Sequence, residues 1–154
     1  MVGKKAPNFT LKSLDGKEVK FSQYKGKVVL LYFFSLASPA NQNQLPTMER
    51  FNQKYRERGL NVIGLSVEKN GADVQKIAKQ NQLSYPVLLD ARRVLENYRL
   101  DRVPKLCLIG KDGVISAVYT GLNPGVETNL GTKIERLLKA SADKNVTVKT
   151  SGKN

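Results

Sequence analysis

The chain has 154 residues, 40% hydrophobic and 25% charged, with a formal charge of +13, one cysteine and no histidine. That length fits one domain able to bury a core without disulfides or structural metal, and the balance excludes disordered and fibrous classes. A lone cysteine excludes an intrachain disulfide, and the lack of histidine removes the usual base of Ser-His-Asp and Cys-His hydrolysis and the usual ligand of catalytic zinc.

Carboxylates show no clustered ligand spacing, so no metal or other cofactor is expected. The longest apolar run, Val28–Phe34, is too short to span a bilayer. Residues 1–9 show no signal-peptide pairing of a basic segment with an apolar stretch. Lysines and arginines are scattered along the whole chain, without the like-charge runs or interleaved aromatics of a nucleic-acid arm, so the charge reads as a solvated surface. Charge-driven association with nucleic acid or membrane is the remote alternative.

In chain order, Asn8-Phe9-Thr10-Leu11 and Glu18-Val19-Lys20-Phe21 flank Asp15-Gly16 and predict an antiparallel hairpin. Residues 27–34 are β-branched and aromatic without alternation, which predicts a strand buried on both faces at the centre of a sheet. Ser38 offers its side-chain oxygen as an N-cap and Pro39 suits the first helical position, so a helix should start there. Leu45, Met48, Phe51 and Tyr55 give that helix one apolar face; Pro46 falls inside it and Gly59 ends it. A second buried strand is predicted over 61–67 and a helix over 73–82, marked by Val74, Ile77 and Ala78. Together they make a β-α-β unit with parallel strands and a right-handed crossover. Residues 86–89 read as a short strand end, and Val94, Leu95 and Tyr98 as a short helix. Lys105–Ile109 and 114–119 form a hairpin across Lys111-Asp112-Gly113, and Leu130, Ile134, Leu137 and Leu138 mark a closing amphipathic helix. The fold class is thus α/β: a central mixed sheet with helices on both faces and an N-terminal hairpin, one domain over 1–140. Residues 141–154, poor in apolar side chains, read as a flexible basic tail.

Several local motifs agree with one family. Ala6-Pro7-Asn8-Phe9-Thr10-Leu11, Leu14-Asp15-Gly16-Lys17 and Phe21-Ser22-Gln23-Tyr24-Lys25-Gly26-Lys27-Val28-Val29 resemble the N-terminal signature of TlpA- and ResA-type thiol-disulfide oxidoreductases, thioredoxin-fold relatives of the peroxiredoxins. The resemblance covers roughly residues 4 to 138 and implies a thioredoxin-like fold. It also implies an extracytoplasmic location. That family carries Cys-Pro-x-Cys between strand and helix. Counting back without gaps from Leu45-Pro46 puts Ser38-Pro39-Ala40-Asn41 there, with Ser38 at the first cysteine and Asn41 at the second. The segment Tyr98-Arg99-Leu100-Asp101-Arg102-Val103-Pro104 is similar to the approach to the family's cis-proline, which implies that role for Pro104, and Glu68 resembles a family glutamate near the cysteines.

A helix N-terminus stabilises a thiolate through its partial positive charge and free amides. Ser38 has the location without the chemistry, since a hydroxyl neither ionises readily nor forms a disulfide. Dithiol exchange and peroxidase activity are therefore not expected. Asn41 is read as a solvated first-turn residue, or as an amide donor to a bound peptide. Glu68 is read as a loop charge or structural remnant. Cys107, within the apolar run Leu106-Cys107-Leu108-Ile109, is read as a buried core residue. The expected function is a redox-inactive, monomeric binding or scaffold module, with Ser38, Pro39, Ala40, Asn41, Val103 and Pro104 forming a groove for an extended peptide or an acidic protein partner. The alternative is oxidoreductase or antioxidant activity by descent, through Cys107 or a partner's thiol.

Overall fold

A computed structural model of the protein describes residues 1–140, so the tail expected over 141–154 lies outside the described residues. Seven strands and four α-helices follow in the order β1 (Thr10–Lys12), β2 (Glu18–Lys20), β3 (Val28–Phe34), α1 (Pro39–Tyr55), β4 (Leu60–Ser66), α2 (Gly71–Gln80), β5 (Val87–Leu88), α3 (Arg92–Asn97), β6 (Lys105–Ile109), β7 (Ile115–Tyr119) and α4 (Pro124–Lys139). Every residue of β3 is at most 1% exposed. Side chains alternate across a strand, so such a run needs cover on both sides. Val28, Leu30, Tyr32 and Phe34 pack with Leu45 and Met48 of α1 and Leu130 and Ile134 of α4. Val29, Leu31 and Phe33 face the other way, onto Phe9, Val94, Leu95 and Tyr98. Each such apolar side chain contributes about 1.5–3 kcal/mol when fully buried, which makes this strand the centre of the core.

The main sheet has the order β5-β4-β3-β6-β7, and β1 and β2 form a separate pair with Leu11 opposite Val19. Strand β3 runs parallel to β4, from Val28 opposite Leu60 to Phe34 opposite Ser66, and antiparallel to β6, from Val29 opposite Ile109 to Phe33 opposite Lys105. The expected mixed α/β sheet, buried central strand and N-terminal hairpin are all present. Helix boundaries differ where a cap overrides the apolar period. Helix α2 starts at Gly71 rather than Asp73 because the Asn70 side chain accepts a bond from the Ala72 amide. In α4 the Asn123 side chain accepts from Val126 N–H and Pro124 fills the first turn, so the helix begins well before Leu130, its first marked apolar position. Helix α1 continues as a 3-10 turn over Arg56–Arg58 and ends, as expected, at Gly59, whose φ of 110° suits a residue without a Cβ.

Candidate functional site

The carboxyl end of β3 leads through residues 35–38 into α1, and the resemblance places the site there. Ser38 does occupy the N-cap position, with φ −110° and ψ 118°, but its side chain makes no capping hydrogen bond. The expected side-chain cap is thus corrected. The Ser38 carbonyl, in contrast, accepts from the amides of Asn41 (3.1 Å) and Gln42 (3.3 Å). Asn41 is also not solvated: it is 1% exposed. Its Oδ1 accepts the Ser35 amide at 3.0 Å, and its carbonyl accepts the Tyr32 hydroxyl at 2.8 Å. Asn41 Nδ2 has no partner among the described residues. Turning the amide over would set its N–H against the Ser35 N–H, so the observed orientation is the one the backbone requires. Pro39 and Ala40 are exposed.

Glu68, in the turn after β4, is the second brace. Its Oε2 accepts both the Ser35 hydroxyl (2.9 Å) and the Leu36 amide (3.0 Å), and its Oε1 accepts the Ser66 hydroxyl. The Ser35 hydroxyl accepts the Ala37 amide in turn, and Gln42 Nε2 donates to the Leu36 carbonyl at 2.7 Å. The Glu68 carbonyl accepts the Asp90 amide at 2.8 Å, which ties this turn to the segment before α3. Loop 35–37 is therefore held by a connected set of bonds from two directions. Glu68 is thus a hydrogen-bonded brace of the loop.

Val103-Pro104 is a cis peptide bond, as the resemblance implied. Continuing the β3–β6 register one step beyond Phe33 and Lys105 brings Pro104 beside Phe34, at the same end of the sheet as Ser35. Gly121 shows how closely these parts approach: a Cβ there would lie 3.3 Å from Gln44 Nε2 and 3.7 Å from Pro104 Cγ. Gln44 of α1 and Pro104 thus flank one glycine. Val103 and Pro104 are half-buried. The next residue, Lys105, is 8% exposed, with its ammonium 3.2 Å from Asp101 Oδ1 and donating to Thr120 Oγ1 at 3.3 Å. That ammonium holds the Asp101 carboxyl below its ordinary value. Glu68 and Asn41 converge on loop 35–37, and Pro104 reaches the same sheet end through β6. Ser35, Tyr32, Gln42, Gln44, Ser66 and Lys105 complete this region but escaped sequence reasoning, because nothing in their spacing distinguishes them from surface or strand residues.

Cys107 lies elsewhere. It sits in the middle of β6 between Leu31 and Val118, fully buried, and burial pushes its thiol up to about 12. A thiol so placed is neither accessible nor ionised near neutral pH. Among the described residues no group of acidic, cysteine or histidine side chains is arranged to hold a metal ion, and no helix is long and apolar enough to cross a membrane.

The family model for AhpC/TSA proteins matches residues 2–118. The chain belongs to that family. Within it the chain is of the TlpA/ResA type: it is 32% identical over 115 residues to thiol-disulfide oxidoreductase ResA of Bacillus thuringiensis, a match covering 74% of this chain and 66% of that protein. ResA of Halalkalibacterium halodurans is 28% identical over 141 residues, covering 91% of this chain and 78% of the relative. A candidate protein disulfide isomerase from Bacteroides thetaiotaomicron superposes with a TM-score of 0.83 at 27% identity, over 91% of each chain. A thiol:disulfide interchange protein from Bacteroides sp. shares the fold, with a TM-score of 0.77 at 23% identity over 91% of each chain. The thioredoxin-like fold is thereby shown, and this AhpC/TSA member carries it with a single cysteine.

Proposed function

We propose that this thioredoxin-fold protein is a redox-inactive binding module that uses the end of the sheet around loop 35–38 and Val103-Pro104 to hold an extended peptide or a segment of a partner protein. The observation that carries the reading is Asn41. Where dithiol chemistry would need a second thiol, this chain has a buried amide that accepts the Ser35 N–H, inside a hydrogen-bonded set with Tyr32, Gln42 and Glu68. Asn41 and Glu68 keep the loop ordered without thiols by accepting its amides at Ser35 and Leu36, although Asn41 Nδ2 itself has no partner among the described residues. Exposed Pro39 and Ala40 and half-buried Val103 and Pro104 offer apolar surface at this end of the sheet. The charge of +13 favours acidic partners through steering. The relatives' type supports an extracytoplasmic setting. The oxidoreductase reading by descent is the weaker one, since burial denies Cys107 both access and ionisation.

Two measurements test this. Insulin reduction with dithiothreitol should show no acceleration by the native chain, and acceleration would overturn the redox-inactive reading. Titration of 15N-labelled protein with an extended acidic peptide should shift the amides of Leu36, Ala37, Ser38 and Val103. Shifts confined to other surfaces, or none at millimolar peptide, would remove the binding reading.

A further inference from the structure

At the opposite end of β3 a second site is built from two turns and the N-terminal segment. The 3-10 turn Phe21–Tyr24 runs into Lys25-Gly26-Lys27, where the Lys27 amide donates to the Tyr24 carbonyl at 3.1 Å and Gly26 takes φ 83°. Because Val29 pairs with Ile109, this turn lies beside the β6–β7 turn, closed by the Gly113 amide on the Gly110 carbonyl at 2.9 Å. Between them opens a cavity of about 470 Å³, within the range of small-molecule sites. Phe21, Tyr24 and Ile109 give it apolar walls, and Lys5, Lys25, Lys27 and Lys111 stand around it.

The charges there are unbalanced. Lys111 Nζ is fixed by the carbonyls of Leu138 (3.1 Å) and Ala140 (2.8 Å), and Lys5 Nζ by the Asp112 carbonyl at 3.1 Å, so both ammonium groups are positioned by neutral backbone acceptors. Lys25 and Lys27 are exposed, and neither belongs to an ion pair among the described residues. Asp112 is the one carboxylate of the lining, and its Oδ1 is engaged by the Val114 amide at 3.1 Å. Four cations against one occupied carboxylate, over apolar walls, select for negative charge on an apolar body.

We propose that this cavity binds small anionic molecules with an aromatic or aliphatic body, a carboxylate or phosphate lying among the lysines and the body against Phe21, Tyr24 and Ile109. The site is separated from loop 35–38 by the length of β3, roughly 20 Å. It stands or falls independently of the peptide-binding reading.

The probe is 1-naphthyl phosphate, added to the full 15N-labelled chain, with 1-naphthol and inorganic phosphate as separate arms. The naphthyl phosphate should shift the amides of Gly26, Lys27, Gly110 and Gly113 in a saturable, salt-sensitive manner. A Lys25→Glu, Lys27→Glu double variant, both positions being exposed, should keep the dispersed spectrum of the folded chain and bind about tenfold or more weakly, the scale of losing two near-surface charge contacts. Equal shifts with 1-naphthol would show a purely apolar pocket, and equal shifts with inorganic phosphate alone an unspecific anion site. Either result, absence of shifts at these amides, or undiminished binding by the folded variant, overturns the proposal.

Discussion

Ser38 and Asn41 stand three residues apart and behave oppositely. Ser38 holds the N-cap position without a side-chain bond, so Ser38→Ala should change stability by no more than about 0.5 kcal/mol, below the usual cost of about 1 kcal/mol for a bonded cap. Asn41→Ala removes the acceptor of the Ser35 amide in a buried position and should cost about 1–3 kcal/mol in urea unfolding. Equal effects of the two substitutions would contradict the geometry. Cys107 gives a residue-scale dependence on pH. Its folded value, pushed up to about 12 by burial, lies above the ordinary 9.0, so the unfolded chain surrenders the thiol proton first as pH rises. Stability conferred by the neutral buried thiol is complete below about 9 and drains away toward 12, and Tyr32, Tyr85 and Tyr98, also raised by burial, add to the fall at still higher pH. Cys107→Ala should lower stability at neutral pH through lost packing, yet flatten the decline above about pH 9. A slope identical to the native one would show that the thiol ionises freely in the fold.

At the scale of elements, the turn after β4 and the loop after β3 form one unit through Glu68. Its carboxyl group accepts from Ser35, Leu36 and Ser66, and its backbone carbonyl accepts from Asp90. Glu68→Ala removes the side-chain bonds and leaves the sheet untouched. Hydrogen exchange at the Leu36 amide should accelerate by about tenfold or more, while amides of central β3 such as Leu31 keep their protection. Uniform acceleration across β3 would mean that Glu68 supports the fold globally rather than the loop. This coupling also bears on the binding reading, since a peptide docking beside Pro104 meets a loop already ordered and loses less freedom on association.

For the whole molecule the charge of +13 is the dominant quantity. Among the described residues the ion pairs are few, Arg58 with Glu135 and Asp101 with Arg102 and Lys105, so most of the cations described there lack a carboxylate partner. Self-repulsion of this kind is screened over about 8–10 Å at physiological salt. Thermal unfolding should therefore shift upward when salt is raised from a few millimolar to about 0.15 M, and a fall over that interval would mean that attractive pairs outweigh the repulsion. The sequence by itself determined the α/β frame, the doubly buried β3, the hairpins and the want of thiols at Ser38 and Asn41, because apolar period, turn chemistry and residue identity are local properties. Caps such as Asn70 and Asn123 shifted helix starts that periodicity alone placed too late, since one side-chain bond outweighs the first weakly amphipathic turn. Only the tertiary structure decided that Asn41 is a buried brace, that Glu68 reaches back to Ser35, and that four lysines distant in sequence, Lys5, Lys25, Lys27 and Lys111, surround one cavity. The physical reason is the same in each case: burial and partnership of a polar side chain depend on which strands lie side by side, and sheet pairing joins residues that sequence spacing keeps apart.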